Sequence, residues 1–485
     1  MFESVLVANR GEIARRIIAT ARRMGIRTIA VYSEADQPMP YVRAADEALP
    51  IGPAPPAHSY LDAAAVIGAA RRGRAAAVHP GYGFLAESAA FAQQVIDEGL
   101  IWVGPPPAAI EQMGDKINAR NLMEKAGVPV SAGTREPVTT AGAAALAAAG
   151  IGYPVMVKAA GGGGGIGMSA ARGERQLRAA FDTARSRAER FFGNAAILIE
   201  RYTPRARHVE VQILGLTDGT VLALGERDCS VQRRHQKVAE ETPSPGVTPQ
   251  LRERMLEAAV RAGEAVGYLG AGTVEFLVDA DTGQFSFLEM NTRLQVEHPV
   301  TELVTGIDLV EQQFLIAAGG GPVGGPLGGG GTAAGSVDGE SARGGPARGA
   351  FTAGVPAAGG ALADLLSDAP GGHALEFRIY AEDPRRFLPS PGGITEWEEP
   401  AGPGVRVDAG YAAGTTVTPF YDPLLAKLCV HGLSRDEALA RAREAVAAFR
   451  ISGPKTNLPF HAELLANGEF VSGAYDTGLV DRMRA

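Results

Sequence analysis

The sequence predicts a mixed α/β and α+β fold built from three lobes, and two observations lead to this prediction. Residues 1–114 alternate short apolar strands with amphipathic helices, which is typical of an open parallel sheet covered by helices. Further along, apolar strands at 273–278 and 284–288 are joined by the turn Asp281-Thr282-Gly283, which predicts an antiparallel hairpin. A chain of 485 residues is long enough for several lobes with ample core.

The first lobe carries a glycine-rich loop, His79–Glu87, at the end of a predicted strand. Open parallel sheets usually bind ligands at the carboxyl ends of their strands, so this loop is a candidate binding element. Glycine-rich turns are also common in proteins without any binding function, so this loop alone does not establish a binding site. The elements predicted in this lobe are strands at 5–8, 28–32, 75–78 and 101–103 and a helix at 11–23.

The second lobe, residues 115–318, carries a longer glycine loop directly after a strand. The strand at 154–158 runs into five consecutive glycines, residues 161–165, which stabilise neither a helix nor a strand. Such a loop lets backbone amides approach an anion closely and lets the segment close over it. Lys158 leads into the loop, and Lys116 is a second candidate for the same phosphates. The alternative is a flexible linker with two surface lysines.

Two carboxylates are expected to face each other across the hairpin. If its turn centres on Thr282, Glu275 and Glu289 are direct cross-strand neighbours, which is unfavourable for like charges unless a cation lies between them. Asn291 adds an amide oxygen close by, and this set of donors suits Mg²⁺ or Mn²⁺ bound to substrate phosphates. The sequence therefore predicts a metal–nucleotide site, and the alternative is two strand-end acids in water.

Composition excludes several classes of protein. A hydrophobic content of 46% and a charged content of 21% are ordinary for a globular protein, and the net charge of −8 argues against a nucleic-acid surface. We find no apolar run long enough to span a bilayer and no secretory leader. Two cysteines, Cys229 and Cys429, cannot form a disulfide framework, so we expect a cytoplasmic protein in which both are packed in strands.

A change of composition separates the third lobe from the second. Seventeen of the 42 residues from 319 to 360 are glycine, and such a segment buries too little apolar area to offset its ordering entropy. We expect residues 319–372 to be an insertion that forms a disordered surface loop. Order resumes with a strand at 373–380, after which short strands and one helix, at 435–450, are expected.

Seven motifs follow one another along the chain, and they begin at Ala8, His79, Lys158, Arg227, Glu289, Arg378 and Phe420. In content and order these motifs resemble those of biotin carboxylases, the ATP-grasp component of biotin-dependent carboxylases. The resemblance covers nearly the whole chain except residues about 320–371. The resemblance implies a Rossmann-like pre-ATP-grasp domain at 1–114, an ATP-grasp domain at 115–318 with a mobile glycine-loop lid at about 131–204, and a biotin carboxylase C-terminal domain at 373–485.

The resemblance also implies the reaction: ATP activates bicarbonate to carboxyphosphate, and CO₂ is then transferred to the N1′ atom of biotin. ATP, two Mg²⁺ or Mn²⁺ ions and carrier-bound biotin are the implied cofactors and substrate. Glu275, Glu289 and Asn291 would place the metals. The implied nucleotide contacts are Lys116, Lys158, Gly163, Gly164, Gly165, Glu200, His208, Gln232, His235 and Leu277.

The implied residues for the carboxylation steps lie mostly in the segment after Glu289. Lys237, Arg293, Gln295 and the backbone of Val296 match the bicarbonate-holding positions. Because cations make bound bicarbonate more acidic, a glutamate with an unshifted or mildly raised pKa is expected to suffice as its base. Glu297 matches that base, Arg378 matches the residue that would stabilise the biotin enolate, and Tyr82 would lie near the biotin ring.

The implied partners are a separate biotin carboxyl carrier protein, carboxyltransferase subunits and a second copy of the chain. A separate carrier is expected because no lysine is flanked by methionines as in the Met-Lys-Met attachment motif. At the usual dimer contact of the family, Ala19 and Arg23 replace an arginine and a glutamate of well-known bacterial members, while Arg406 is kept. In the glycine loop, Ile166 replaces a residue that is commonly basic in the family. The alternatives are another ATP-grasp ligase, such as a carbamoyl-phosphate synthetase half, and a catalytically silent nucleotide-binding subunit.

Overall fold

The computed structural model describes residues 1–159, 168–192, 196–320 and 369–484. Within them the chain forms five β-sheets flanked by helices, which confirms the mixed α/β and α+β class. The five-glycine loop and most of the predicted insertion lie outside the described residues. None of the helices in the described part of the chain has an apolar stretch that would span a bilayer.

The amino-terminal lobe is a five-stranded parallel sheet with strand order β3-β2-β1-β4-β5. Its central strand is buried along its whole length, and the apolar face of the first helix, with Ile13 and Ile17, packs against it. The third strand was not predicted, because Pro50 and Ala48 hide its apolar alternation. The elements are β1 Ser4–Val7, α1 Gly11–Arg23, β2 Arg27–Ser33, α2 Pro40–Ala44, β3 Glu47–Gly52, α3 Ala63–Arg72, β4 Ala77–His79, α4 Ala89–Asp97, β5 Ile101–Trp102 and α5 Pro107–Gly114.

A small three-stranded sheet with two helices forms part of the segment predicted as the lid, residues about 131–204. It has its own core, in which Leu177 and Phe181 pack against Val155, Val157 and Ile199. Movement of this unit stays a prediction. The elements from the preceding helix onward are α6 Lys116–Lys125, α7 Ala141–Ile151, β6 Val155–Ala159, β7 Ser169–Ala171, α8 Glu174–Phe192 and β8 Ile197–Arg201.

An eight-stranded sheet, with strand order β13-β12-β9-β10-β11-β14-β19-β17, is the centre of the molecule. Its neighbours are antiparallel, and it continues from the second lobe into the third through the pairing of β11 with β14. Strands from distant parts of the sequence therefore share one surface. The elements are β9 Ala206–Gly215, β10 Val221–Arg233, β11 Gln236–Thr242, α9 Pro249–Ala265, β12 Gly270–Asp279, β13 Phe285–Asn291, α10 His298–Thr305, α11 Leu309–Ala317 and β14 His373–Tyr380.

The prediction of a single helix in the third lobe is wrong, because the described residues after 380 form four. The extra helices are five to nine residues long, too short for a helical period to stand out. One of them has a proline in its first turn, where the missing amide hydrogen costs nothing. The elements are β15 Gly392–Gly393, β16 Glu396–Glu398, β17 Val405–Ala409, β18 Thr416–Val417, β19 Leu424–Gly432, α12 Arg435–Ala448, β20 Arg450–Ser452, α13 Leu458–Ala466, α14 Gly468–Ser472 and α15 Leu479–Arg484.

Candidate active site

The predicted pairing of Glu275 with Glu289 is confirmed, because the two residues are direct partners across β12 and β13. Glu275 is buried, whereas the Glu289 side chain is 41% exposed. Lys116, in the first turn of α6, lies 3.8 Å from Glu289. Its helix begins where the Asp115 carboxylate accepts hydrogen bonds from the amides of the first turn. The hairpin thus carries one buried and one accessible carboxylate side by side.

Lys237 on β11 is the centre of the site. Its ammonium group donates to Glu210 at 2.6 Å, to Glu297 at 2.7 Å and to Glu275 at 2.8 Å. Burial disfavours the charged amine, but the three carboxylates outweigh it and hold the pKa of Lys237 well above its usual range. A permanent positive charge therefore stands among three buried acids.

Glu297, the residue immediately before α10, lies between two cations. One carboxylate oxygen accepts from Lys237 and the other accepts from Arg378 Nη2 at 2.9 Å. Burial alone would raise its pKa, but Lys237 and Arg378 hold the pKa well below the ordinary glutamate value. The expected unshifted or mildly raised pKa is therefore wrong, because the sequence did not show how closely these cations approach.

Glu275 also takes part in a second set of hydrogen bonds. Its oxygens accept from Gln295 Nε2 at 3.0 Å and lie 2.8 Å from His208 Nε2, whose other ring nitrogen accepts from Gln232 at 2.7 Å. Burial opposes the charged imidazole, yet Glu275 raises the pKa of His208. Arg293 extends the network, since it donates to Gln295 and Asn291 at 2.8 and 2.7 Å and to Glu87 at 2.9 Å. The predicted residues joined in this network are Gln232, His208, Glu275, Lys237, Glu297, Arg378, Gln295, Arg293 and Asn291.

The other predicted nucleotide residues lie outside that network. Lys158 on β6 forms an ion pair with Glu200 on β8, which, against the effect of burial, lowers the pKa of Glu200. Leu277 is the register partner of His208 on the neighbouring strand. His235 lies exposed in the turn between β10 and β11, where it and the preceding residue have φ values of 68° and 50°, as a two-residue hairpin turn requires. Gly163, Gly164 and Gly165 lie outside the described residues.

Tyr82 and Val296 are connected through a buried lysine. The Tyr82 hydroxyl donates to Glu12, which forms an ion pair with Lys427 at 3.2 Å. Lys427 also donates to the carbonyl oxygen of Val296 at 2.9 Å. The predicted biotin contact thus lies on a different set of groups from the Lys237 network, although both reach the loop between β13 and α10.

Two acids of the site were missed in the sequence. Glu210 bonds both Lys237 and Arg227, and it lies two residues after His208 on β9, so strand alternation would have placed both on one face. Glu240, whose Oε1 accepts from Arg378 Nε at 2.6 Å, had no such signal. A register shift between β10 and β11, where Gln232 pairs with Lys237 but Val231 pairs with Ala239, changes the alternation of β11.

The donor set of Glu275, Glu289 and Asn291 fits a hard divalent cation, since it offers carboxylate and amide oxygens at the end of one hairpin. Two other groups are close enough to chelate an ion: His208, Glu210 and Glu275, and Glu210, Cys229 and Glu297. The Lys237 ammonium lies within bonding distance of Glu210, Glu275 and Glu297 and supplies the positive charge there. The hairpin set is therefore the better metal candidate.

Comparisons with known proteins match the chain along its whole length. Family models match in order: the biotin carboxylase N-terminal domain at residues 1–110, the ATP-binding domain of carbamoyl-phosphate synthase L chain at 115–321 and the biotin carboxylase C-terminal domain at 376–482. Biotin carboxylase 2 of Bacillus subtilis is 46% identical and is covered over 98% of both chains. The chain belongs to the biotin carboxylase family. A pyruvate carboxylase subunit of Methanothermobacter thermautotrophicus is 44% identical over 100% of this chain and 90% of the relative.

Solved structures agree with this assignment. A biotin carboxylase–beta-gamma-ATP complex from Campylobacter jejuni superposes with a TM-score of 0.87 at 40% identity, with 99% of each chain covered. The biotin carboxylase domain dimer of the Hydrogenobacter thermophilus 2-oxoglutarate carboxylase, described with MgADP, ADP and bicarbonate, gives 0.86 at 39% identity over 99% and 98% of the two chains. The predicted family is confirmed, and the enzyme is a ligase that carboxylates biotin with ATP and Mg²⁺ in a biotin-dependent carboxylase.

Proposed function

We propose that the chain carries out the first half-reaction of a biotin-dependent carboxylase on biotin attached to a separate carrier protein. ATP phosphorylates bicarbonate to carboxyphosphate, which delivers CO₂ to N1′ of biotin. The observation that carries this proposal is the buried Glu297 held between Lys237 and Arg378, with Gln295 close by on Glu275 and Arg293 joined to it. A base, an anion cradle and a guanidinium for the developing charge are what the two transfer steps require.

In this proposal Lys237, Arg293, Gln295 and the Val296 backbone hold bicarbonate, and Glu297 takes its proton. A strongly lowered pKa makes Glu297 a weak base, but the same cations also lower the pKa of bound bicarbonate, and proton transfer depends on the difference between the two. When Lys237 turns towards bicarbonate and Arg378 towards biotin, Glu297 loses the contacts that weaken it. Substrate binding therefore makes the base stronger at the step that uses it.

The nucleotide is placed on the lobe of β6 and β8 and the hairpin of β12 and β13. Lys158 exchanges Glu200 for phosphate oxygens, which frees Glu200 for the adenine amino group. Lys116 and His235 meet the phosphates with the glycine loop, and His208, Gln232 and Leu277 surround the adenosine. Glu275, Glu289 and Asn291 would hold Mg²⁺ or Mn²⁺, which would supply positive charge to the phosphates. Closure of residues about 131–204 excludes water from carboxyphosphate.

The biotin step belongs to Arg378 and Tyr82. A guanidinium presents paired donors to a planar ureido oxygen, so Arg378 stabilises the negative charge that develops there. Tyr82 approaches the ring from the loop after β4, and its bond to Glu12 fixes its orientation. Arg378 is thus assigned to biotin, although it contacts the bicarbonate base Glu297.

The partners are a biotin carboxyl carrier protein, carboxyltransferase subunits and a second copy of the chain, in the cytoplasm. Acetyl-CoA or propionyl-CoA is the proposed acceptor, which is supported by the 45% identity to an acyl-coenzyme A carboxylase alpha3 subunit of Mycobacterium leprae. The pyruvate carboxylase relative is also similar at 44% identity, as is a putative urea carboxylase. Purification of the native complex followed by an acceptor screen tests the acyl-CoA proposal, and sedimentation of the pure chain tests the dimer.

The deciding experiment measures ADP release with and without bicarbonate and free biotin, and traps labelled carboxybiotin. We expect hydrolysis that needs bicarbonate, rises with biotin and yields carboxybiotin. Another ATP-grasp ligase would show no response to biotin, and a silent nucleotide-binding subunit would release no ADP. Either result would contradict the proposed function.

A further inference from the structure

Two buried glutamates face each other beside Arg378. Glu240 on β11 and Glu376 on β14 are direct cross-strand partners, and their exposed fractions are 2% and 0%. Side chains in that position have Cβ atoms about 4.5–5.5 Å apart, so two negative charges there repel each other. A pair of ionised glutamates in a dry sheet is therefore unstable unless something neutralises one of them.

Each glutamate of the pair uses only one of its two carboxylate oxygens in a hydrogen bond with the surrounding protein. Glu240 Oε1 accepts from Arg378 Nε at 2.6 Å, and Glu376 Oε2 accepts from the Cys429 thiol at 3.4 Å. The other oxygen of each, Glu240 Oε2 and Glu376 Oε1, is buried and has no hydrogen-bond partner among the described residues. A proton on one carboxyl, donated towards the other, satisfies both orphaned atoms at once.

Too few cations surround the pair to neutralise it in another way. Lys237 is bonded to three other carboxylates. Lys427 faces Glu376 and lowers its pKa without outweighing burial, but its hydrogen bond goes to the Val296 carbonyl and its ion pair to Glu12. Arg378 alone remains for Glu240, and it is shared with Glu297. The titratable groups that face the pair are Cys229 on β10, Lys237 on β11, Arg378 and Tyr380 on β14, Lys427 and Cys429 on β19, Glu297 before α10 and Tyr82 after β4. Arg435 of α12 bonds Glu241 instead.

We propose that Glu240 and Glu376 hold one proton between them, and that this shared proton sets the charge that Glu240 presents to Arg378. Glu240 is thereby a positioning residue for the biotin step, and this role rests on the proposed function of Arg378. Burial raises the pKa of Glu240 to about 7 and also raises that of Glu376, which is the direction that a shared proton requires.

The shared proton has a functional consequence. With one proton the pair carries a single negative charge, so Arg378 keeps much of its positive field for the ureido oxygen of biotin. When the pH rises above the upper titration of the pair, that proton passes to solvent and the dianion neutralises Arg378 and holds it back. Biotin carboxylation then slows, whereas bicarbonate-dependent ATP cleavage, which uses other side chains, is less affected.

Substitution of either glutamate by glutamine tests the proposal. In Glu376→Gln the amide stays neutral, so no dianion can form with Glu240, and we expect the alkaline loss of biotin carboxylation to move up by about one pH unit or more, to the pH at which another group becomes limiting. Glu240→Gln removes the partner of Arg378, so the KM for free biotin should rise at every pH. Glu240→Asp should restore part of the biotin affinity. A merely structural role would lower activity without moving the pH profile.

Infrared spectroscopy tests the proton without any need for activity. The carboxylic C=O stretch of a buried protonated acid should be present in the wild-type enzyme near neutral pH, weaker in Glu376→Gln, and unchanged in the surface control Glu257→Gln. An unaltered C=O band and pH profile in folded Glu376→Gln would overturn the shared proton. If that variant does not fold, the absence of any protonated buried acid in the wild-type spectrum would also overturn it. An altered band in a protein without biotin activity would support the shared proton and reject only the proposed function.

Discussion

Lys237 and Lys158 are both lysines on strands of the enzyme, but their surroundings differ sharply. Lys237 lies in the eight-stranded sheet and bonds three buried carboxylates, each supplied by a different strand or loop. Lys158 lies in the three-stranded sheet, bonds one carboxylate and leads out of the described residues. The chemical centre is therefore held in place by its own ion pairs until substrate replaces them, whereas the nucleotide side around Lys158 has a small separate core and few such contacts.

The largest effects are expected at the fixed centre. Glu297→Gln or Arg293→Ala should lower bicarbonate-dependent ATP hydrolysis by about 10²- to 10⁴-fold, because proton abstraction or anion positioning is lost. Nucleotide binding, measured by calorimetry, should survive, since neither residue is among the proposed contacts of the phosphates. Glu257→Gln, a partly exposed carboxylate paired with Arg261 on α9, is the matched control and should behave as wild type. Near-normal turnover in both variants would contradict the assignment of the centre.

Arg378→Ala separates the two half-steps within the centre. It should reduce carboxybiotin formation more than bicarbonate-dependent ATP cleavage, because the proposed partner of Arg378 is biotin. The measurement is the ratio of carboxybiotin to ADP under saturating bicarbonate. An equal loss of both products would instead place this guanidinium in the bicarbonate site, where its bond to Glu297 also points.

Replacement of each lysine by methionine tests the comparison through stability. Lys237→Met leaves three buried carboxylates without their shared cation and should lower the free energy of unfolding by about 3–5 kcal/mol. Lys158→Met leaves only one carboxylate, Glu200, without its partner and should lower the free energy of unfolding by less. The pKa of Glu297 is lowered in the folded enzyme, so its stabilisation is present above the unfolded pKa, near 4.3, and lost as the pH falls.

Urea denaturation at neutral pH and near pH 4 provides the measurement. The difference in the free energy of unfolding between the wild type and Lys237→Met should therefore be smaller at the lower pH. Equal losses of the free energy of unfolding in Lys237→Met and Lys158→Met would show that the Lys237 centre is held no more firmly than the nucleotide side.

The smallest effect is expected outside both regions. Excision of residues 322–358 should leave folding and carboxylation of free biotin within a few-fold of wild type, because the segment has few large apolar side chains and a shorter loop closes at slightly lower entropic cost. Activity with free biotin and with the carrier protein should be compared. A defect with the carrier alone would indicate docking, and a defect with free biotin would contradict the prediction.

The structural features that depend on strand alternation and on turns could be predicted from the local sequence. The register of Glu275 with Glu289 followed from a short hairpin, and most strands of the amino-terminal sheet followed from their apolar runs. Contacts that depend on the pairing of strands far apart in the chain could not be predicted in this way. Glu240 reaches Arg378 because β11 pairs with β14 and because its register shifts near Lys237. The depressed pKa of Glu297 likewise arises from residues 60 and 81 positions away along the chain.

The continuous eight-stranded sheet also decides how the protein can be divided. Chain fragments ending at residue 320 and beginning at residue 369 would part β11 from β14, which pair through four consecutive residues from Ala239 to Thr242. Each fragment made alone would display an open strand edge that invites aggregation. Made together in one cell, the fragments could cover each other's edge and reassemble the enzyme, so a gene split at this position is expected to work only as a co-expressed pair.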